Sequence, residues 1–393
     1  MNNNVLHKEV QDFIYKKSNE PIDLTKFILS GSPYDTISVQ ELAQQINGRQ
    51  KTKDKLPLWY KTKDIYYPPT LNLEQTSSEV TALYKSNLVT GNSLIDLTGG
   101  FGIDDYYFSK KVKQVIHCEL NTDLSEIAAH NFRALNAHNI ETHSGDGLEI
   151  LKKLEFVDWI YIDPSRRHDS KGKVFFLEDC LPDVPSNLDL LFSKSDRILI
   201  KTSPLLDIHS GLKSLQFVKE IHVIAVNNEV KELLWVLEKN IETDTLIKTI
   251  QINKNENQIF DFSLKEGNNT LPKFSNPKKY VYEPNAAIMK SGGFYNVSKS
   301  FDLEKLHQHS HLYTSDNLIN FPGRSFEILS VFPYQKKILK KEKITKANIT
   351  TRNFPETVSE IRKKFKIKDG GDIYLFFTTN CNEEKIVLKC RKT

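Results

Sequence analysis

Short apolar segments alternate with amphipathic segments through the middle of the chain. Apolar runs predict strands at about 93–97, 113–118, 139–143, 157–162, 196–201, 220–226 and 246–252. Apolar residues at helical spacing predict helices between them, for example at 122–137, 146–153, 207–215 and 228–238. Because such alternation is typical of a doubly wound, mainly parallel sheet, we expect an α/β fold whose ligands bind at the C-terminal strand ends.

The two ends of the chain show other patterns. Residues 1–70 predict a mostly helical region, and residues 253–276 are polar and predict a hairpin or linker. Near the C-terminus, 325–329 and 373–377 predict strands, and 358–365 predict an amphipathic helix. The patterns divide the chain at three places, into 1–70, 71–276, 277–323 and 324–393.

The composition narrows the class of protein. With 393 residues, 39% hydrophobic and 26% charged, the chain is typical of a globular protein of two or three domains. It has no apolar run near the roughly 18 residues that span a bilayer, and its start lacks a signal pattern. The four cysteines are far apart, which favours reduced thiols over a disulfide-linked partner or a zinc site. We therefore expect a cytoplasmic protein with no membrane segment and no metal.

The charge is unevenly distributed. The overall net charge is +4, but residues 324–393 alone carry 17 Lys/Arg and 8 Asp/Glu. A basic C-terminal region on a mildly acidic body indicates a polyanionic partner, and a solvated lysine-rich surface is the alternative.

The stretch from Ser93 to Asp104 joins a predicted strand to a helix through a glycine turn. Glycine at such a turn lets the backbone bend sharply and lets a ligand lie against unpaired N–H groups. The spacing D-x-x-x-G-x-G begins at Asp96 and differs from the G-x-G-x-x-G of dinucleotide-binding loops. Asp104 and Asp105 follow where that third glycine would stand, and their charges would repel a pyrophosphate. This disfavours the alternative of an NAD-dependent oxidoreductase.

Acidic residues close the following strands. Glu119 ends the second strand, where a carboxylate can accept hydrogen bonds from both ribose hydroxyls. Asp146 follows the third strand and can accept from an adenine amino group. The fourth strand ends in Asp163 and Pro164, and the fifth ends in Lys201.

This order of motifs resembles that of class I S-adenosylmethionine (SAM) methyltransferases. More narrowly, the chain resembles a bacterial family that carries a ferredoxin-like segment and a THUMP-like domain after the catalytic domain. The stretches that carry this resemblance are DLTGGFGID at 96–104, DPSRR at 163–167, EPNAAIMKSGGF at 283–294 and RNFPETVSEIRKKFKIKDGGD at 352–372. The resemblance implies a Rossmann-like seven-stranded methyltransferase sheet, SAM as cofactor and an RNA substrate, either tRNA or rRNA. Thr98 stands where the commonest form of the family's first motif has glycine.

The motifs and the resemblance together assign candidate site residues. The cofactor-binding candidates are Thr76, Asp96, Thr98, Gly100, Gly102, Glu119 and Asp146. The catalytic candidates are Asp163, Pro164 and Arg166. The RNA-binding candidates are Arg167, Arg352, Arg362, Lys363, Lys364 and Lys366.

The residues after the fourth predicted strand, from Asp163 to Arg167, form the fourth motif and indicate which atom is methylated. Asp163 can accept the proton that leaves a base nitrogen, but the aromatic residue usual in enzymes for exocyclic amines is missing. No cysteine stands where methylation of pyrimidine C5 would need a nucleophile. Nitrogen methylation is therefore expected first, and the ribose 2′-oxygen stays open because Lys201 is near. Arg166 and Arg167 either grip a substrate phosphate or order their loop by ion pairs. A non-catalytic RNA-binding protein is a further alternative.

Overall fold

The computed structural model describes residues 1–166, 176–265 and 272–393. The chain folds into two compact units. Unit 1 comprises Met1–Val218 and Trp235–Ile241, and unit 2 comprises Lys219–Leu234 and Glu242–Thr393.

The helices and strands of the described residues are numbered in chain order. The α-helices are α1 (Lys8–Ser18), α2 (Leu24–Leu29), α3 (Val39–Lys55), α4 (Pro57–Lys61), α5 (Thr70–Gln75), α6 (Glu79–Ser86), α7 (Ile103–Phe108), α8 (Thr122–Ala134), α9 (Gly147–Lys153), α10 (Val184–Lys194), α11 (Ile208–Ser214), α12 (Ala286–Ser291), α13 (Phe294–Phe301), α14 (Lys336–Lys341) and α15 (Val358–Phe365). Short 3-10 helices lie at Asn3–Leu6 and Leu177–Asp179. The strands are β1 (Gly91–Asp96), β2 (Val112–Glu119), β3 (Ile140–Ser144), β4 (Trp159–Ile162), β5 (Ser165–Arg166), β6 (Cys180–Leu181), β7 (Arg197–Thr202), β8 (Val218–Val226), β9 (Glu229–Glu238), β10 (Leu246–Ile252), β11 (Gln258–Ser263), β12 (Tyr280–Pro284), β13 (Glu304–Lys305), β14 (Tyr313–Ser315), β15 (Gly323–Pro333), β16 (Asn348–Arg352), β17 (Ile373–Thr379) and β18 (Lys385–Lys392).

The sheet of unit 1 has the strand order β7-β4-β1-β2-β3, and every one of these pairs is parallel. Leu94, Ile160 and Ile198 are completely buried, as expected for strands covered on both faces. The second half of β9, which belongs to this unit, lies beside β7. Because the C-terminal ends of parallel strands lie at the same edge of a sheet, this edge carries Asp96, Glu119 and the residues after β3 and β4. This confirms the predicted α/β fold with a methyltransferase-type sheet.

The N-terminal part of unit 1 is helical. A capping box fixes the start of α3, because the Ser38 side chain accepts from the Glu41 N–H and the Glu41 carboxylate accepts in return. Arg49 is 5% exposed, and its guanidinium stacks between the rings of Tyr15 and Tyr60 at 4.1 and 4.0 Å. Arg49 is therefore part of the packing of this region.

In unit 2, β8 pairs parallel with β10, and β10 pairs antiparallel with β11. The prediction of a helix at 228–238 is wrong, because these residues form β9, next to β8 in the sheet. Asn227 and Asn228 have φ angles of 51° and 62° and connect the two strands. Two adjacent asparagines with positive φ are typical of a two-residue hairpin turn, so the turn reverses the chain and excludes a helix there.

Unit 2 also contains a second sheet, with the order β13-β14-β12-β15-β18-β17-β16. Phe326, Phe376 and Leu388 of its neighbouring strands are at most 1% exposed and belong to one hydrophobic cluster. The amphipathic helix expected at 358–365 is present as α15, which begins with a capping box between Thr357 and Glu360. Within the described residues, every helix is too short or too polar to cross a lipid bilayer.

Candidate active site

The loop after β1 is held by its own side chains. One oxygen of Asp96 accepts from the backbone N–H of Thr98 at 2.7 Å and from the Thr98 hydroxyl at 3.0 Å. The Thr98 hydroxyl oxygen in turn accepts from the backbone N–H of Asp163 at 2.7 Å. Thr98 therefore connects the loop after β1 to the end of β4, which is a role that glycine could not fill at this position.

The glycines of the loop are required for two different reasons. Gly102 has a φ of 79°, and a Cβ there would overlap the ring of Phe132. Gly100 has a φ of 57°, but the nearest atom to its Cβ position is 3.7 Å away, so the space beside it is open to a ligand. The expectation that the loop presents unpaired N–H groups is wrong for Gly100 and Gly102. Their N–H groups donate to Glu119 and to the carbonyl of Gly99, both at 2.9 Å.

Glu119 and Asp146 lie at the ends of neighbouring strands. The Glu119 carboxylate accepts from the Gly100 N–H with one oxygen and from the Asn121 N–H, at 2.7 Å, with the other. Asp146 caps α9 by accepting from the Leu148 N–H at 2.8 Å. Both carboxylates are thus oriented by backbone N–H groups, and each carboxylate oxygen has capacity for a further hydrogen bond.

A group of acids lies buried next to the loop. Asp104 accepts from Ser77 and Tyr161, both at 2.8 Å, and its second oxygen is 3.3 Å from the Lys85 amine. Asp105 contacts the imidazole Nδ1 of His117 at 2.7 Å. Sequence reasoning missed this network, although two consecutive acids at the start of a helix after a buried strand were a signal for it.

Burial changes the protonation of this group. Burial and then the neighbouring Asp105 raise the pKa of Asp96 well above its ordinary value. Burial has the largest effect on the pKa of Asp105 and raises it well above its ordinary value, and the neighbouring Asp104 raises it further. The interaction of the Asp105 and Asp96 side chains lowers this pKa, but by less. Burial lowers the pKa of His117. The raised pKa values of the two acids and the lowered pKa of His117 all favour neutral side chains, because a buried charge without a close opposite charge is costly.

Asp163 is the accessible acid of the fourth motif. Its side chain is 35% exposed and forms an ion pair with Lys201 at the end of the neighbouring strand β7. Sequence reasoning considered Lys201 alone and missed this pair, although residues that end two adjacent parallel strands must lie close together. Pro164 is buried after Asp163, Arg166 belongs to β5, and Arg167 lies outside the described residues.

Thr76 is the C-cap residue after α5 and directly precedes Ser77, whose hydroxyl donates to Asp104. The loop that carries Thr76 is thereby attached to the start of α7, but among the residues that the structure describes no hydrogen bond or ion pair joins the Thr76 side chain to another candidate. Its role in binding the cofactor stays a prediction.

The six predicted RNA-binding residues separate into three groups. Arg352 forms an ion pair with Glu283, and Arg362 and Lys364 form ion pairs within the C-terminal part of unit 2, with Asp369 and Glu356. Lys363 and Lys366 are exposed and have no ion-pair partner among the described residues. Arg167, as noted, is not described.

The structure offers no metal centre among residues 1–166, 176–265 and 272–393, where His, Cys, Asp and Glu form no suitable group. The four cysteines are all free thiols.

Comparisons with known proteins agree with this architecture. A family model of a ferredoxin-like domain matches residues 280–322, and a THUMP domain-like model matches residues 323–392. A protein from Porphyromonas gingivalis W83, called a "putative methyltransferase", has a crystal structure that is similar over 98% of this chain and 99% of its own, with 33% identity and a TM-score of 0.90.

Other solved structures are similar only in part. The "putative RNA methyltransferase PH1948" from Pyrococcus horikoshii matches 49% of this chain and 99% of its own at 15% identity, with a TM-score of 0.34. The M. capricolum TrmK, in complex with S-adenosyl-homocysteine, matches 44% of this chain and 70% of its own at 15% identity, with a TM-score of 0.32. At these scores neither likeness carries a functional argument. A search of curated proteins found no match.

Proposed function

Because this chain belongs to the methyltransferase family of the Porphyromonas gingivalis protein, with ferredoxin-like and THUMP-like domains at its C-terminus, we propose that it transfers a methyl group from SAM to RNA. The acceptor that we propose is a base nitrogen of tRNA or rRNA. The observation that carries this proposal is one continuous hydrogen-bond network. It links Asp96 through Thr98 to Asp163, so the loop expected to hold the cofactor is joined to the expected proton acceptor.

The residues present fit an adenosyl group with a positive charge. In this proposal Glu119 accepts from the ribose hydroxyls and Asp146 from the adenine amine, which is supported by the fixed directions of both carboxylates and by the open space beside Gly100. Glu119, Asp146 and Asp163 make the strand ends acidic, and Lys201 offsets one of these charges, whereas burial raises the pKa of Asp96 and favours its neutral form. An acidic site favours the sulfonium cation of SAM and opposes the pyrophosphate of NAD.

Asp163 is the proton acceptor in this proposal, which its accessible carboxylate beside Lys201 supports. SAM, when bound, supplies an electrophilic methyl group. As a base nitrogen forms its bond to that methyl, it loses a proton, which the Asp163 carboxylate accepts. Lys201 fixes the direction of this carboxylate through the ion pair, and Thr98 fixes its backbone. The protein therefore contributes mainly by holding the reacting groups in line, which can supply several kcal/mol.

Unit 2 is the proposed RNA-binding part. Exposed lysines such as Lys363 and Lys366 follow or belong to the amphipathic helix α15, whose apolar residue Ile361 is completely buried. Their amines are available to phosphates, which dominate the affinity of proteins for nucleic acids. The assignment of a THUMP domain-like match to this region supports the same partner.

Two measurements test the proposal. Isothermal titration of the full chain should show binding of SAM and no binding of NADH; the reverse result would identify an oxidoreductase. Mass spectrometry of nucleosides from tRNA and rRNA, with and without the gene, should show one methylated base that disappears with the gene. A missing 2′-O-methyl nucleoside would instead assign the ribose, for which the nearness of Lys201 to Asp163 is the supporting observation. SAM binding without any lost nucleoside would contradict RNA methylation.

A further inference from the structure

Two arginines share one buried carboxylate in unit 2. The Glu283 side chain is only 4% exposed, and its two oxygens divide between Arg324 and Arg352. Arg324 donates from Nε at 2.8 Å and from Nη2 to Oε2. Arg352 donates to Oε1 from Nε at 3.1 Å and from Nη2 at 2.8 Å. Two stretches that lie far apart in the sequence, at 283–294 and 352–372, thus meet at one carboxylate.

Both arginines use the same edge of the guanidinium. Nε and Nη2 face Glu283, which leaves the Nη1 end of each group for another acceptor. Within the described residues, neither Nη1 atom has a hydrogen-bond partner. The side chains of Arg324 and Arg352 are 41% and 36% exposed, so these ends are accessible. A guanidinium held on one edge is preorganised to donate from its other edge.

A cavity of about 260 Å³ lies against the two arginines. Asn228, Pro284, Ala286 and Met289 complete its lining with Glu283. Pockets for whole small molecules occupy roughly 300–1,000 Å³, so this cavity suits a small group that belongs to a larger ligand.

The net charge of Arg324, Arg352 and Glu283 indicates which chemical group the cavity would bind. Two guanidinium groups and one carboxylate leave one net positive charge, and the carboxylate is already satisfied by both partners. Phosphate matches paired arginines because its oxygens accept two parallel N–H bonds from each fork. We propose that Arg324 and Arg352, held by Glu283, form a binding site for one phosphate group of the RNA. The identification of RNA as the source of the phosphate depends on the proposed function, whereas the phosphate site itself does not.

Salt-dependent binding by the full chain tests the site. The ligands are short single-stranded RNAs of one sequence, with either a 5′-phosphate or a 5′-hydroxyl end. The variants are Arg324→Gln and Arg352→Gln, and Arg324→Lys keeps the charge but loses the fork. The matched control is Arg391→Gln, which makes the same charge change at an exposed residue of β18 in the same unit.

Each Gln variant should weaken binding roughly tenfold or more, because a charge-assisted hydrogen bond is lost. The slope of log K against log salt should fall by about 0.7, the value for one phosphate of a single strand. Arg324→Lys should keep most of the slope and lose part of the affinity, and the control should change neither quantity. Equal loss for both RNAs would identify an internal phosphodiester. Loss only for the 5′-phosphorylated RNA would identify a terminal phosphate.

Unchanged affinity and slope in folded Gln variants, as judged by thermal melting, would overturn the site. So would a wild-type chain that binds neither RNA and no inorganic phosphate. Failure of the proposed function has a different signature. In that case the arginine-dependent phosphate binding persists, but no RNA is methylated.

Discussion

Unit 1 contains two kinds of acid near the same strand ends, and they differ in exposure. Asp96 and Asp105 are 2% and 0% exposed, whereas the Asp163 side chain is 35% exposed. The buried pair has a neutral imidazole and another acid for neighbours, and burial raises the pKa of both carboxyl groups. Asp163 instead has the cation of Lys201 beside it.

This difference in exposure indicates that acids of the same set of motifs have two roles, one in holding the structure and one in the proposed reaction. Asp96 is the first acid of the glycine motif, yet its carboxyl oxygen is engaged by Thr98 and shapes the loop. Glu119 and Asp163 are oriented by neighbours and still face accessible space. An acid in a cofactor motif can therefore act by holding a loop, while the acids at the ends of adjacent strands are the ones that we propose contact the ligand.

The largest expected effect is on the accessible acid. Asp163→Ala should lower the rate of methyl transfer about 10²–10⁴-fold, because it removes the proton acceptor. SAM affinity should stay near the wild-type value. Single-turnover transfer assays and titration with SAM measure the two quantities. Asp189→Ala, an exposed acid on α10, is the matched control and should leave both unchanged. An unaltered rate in Asp163→Ala would remove Asp163 from the mechanism.

Glu119→Gln should weaken SAM binding by about 10–100-fold, since hydrogen bonds to charged groups contribute roughly 1.5–3 kcal/mol. The amide oxygen can accept from only one of the Gly100 and Asn121 N–H groups, so the free energy of unfolding should fall by roughly 1 kcal/mol, less than the loss of binding free energy. Calorimetric titration and urea unfolding check these two expectations. If stability falls as much as affinity, Glu119 belongs with the buried acids as part of the scaffold.

Asp105→Ala should lower the free energy of unfolding by roughly 1–3 kcal/mol, because it leaves the buried Nδ1 of His117 without a partner. Asp105→Asn keeps a polar partner and should cost less. Urea unfolding at a fixed pH gives both values. A smaller loss for Ala than for Asn would contradict the pairing with His117.

The pH dependence of Asp105→Asn sharpens this test. Because the folded-state pKa of Asp105 is raised, the folded protein keeps a proton that the unfolded chain releases above about pH 4. This contribution to wild-type stability is therefore lost as the pH rises from there towards the folded-state pKa. The stability of Asp105→Asn relative to wild type should increase over that range. A difference that is constant with pH would show that Asp105 is charged in the fold.

The smallest expected effect is at the basic surface of unit 2. Lys363→Gln should weaken RNA binding a few-fold and reduce the salt slope by about 0.7–0.9, as for one lost phosphate contact. Glu360→Gln, on the same helix, is the control of opposite sign and should not weaken binding. Filter binding at several salt concentrations measures both. A loss of RNA affinity without a change in the salt slope would mean that Lys363 stabilises the fold and does not contact a phosphate.

The sequence predicted most strands of the parallel sheet but assigned β9 as a helix. Val230, Leu233, Leu234 and Leu237 have helical spacing, which suggested a helix, but Glu232 to Leu237 are all buried in β9. A strand covered on both faces loses its two-residue period, so periodicity alone could not distinguish the two. The Asn227–Asn228 pair was the available signal for a hairpin turn.

The candidate site was predictable where a residue ends a strand, as with Glu119 and Asp163. Partners were harder to predict, because they depend on which strands are neighbours. Lys201 meets Asp163 only because β7 lies beside β4, and Arg324 meets Arg352 only through Glu283. Arg49 is a further example, because the sequence around it does not reveal that two tyrosines enclose its guanidinium.

The chain path has a consequence for how this protein can be divided. It enters unit 2 at Lys219, returns to unit 1 for Trp235–Ile241 and enters unit 2 again at Glu242. A single cut in the chain therefore cannot release either unit intact. A chain truncated before Glu242 lacks most residues of unit 2 but still contains its segment Lys219–Leu234. The C-terminal part from Glu242 is consequently not an exchangeable module, because a gene fusion that begins there leaves Lys219–Leu234 of unit 2 behind.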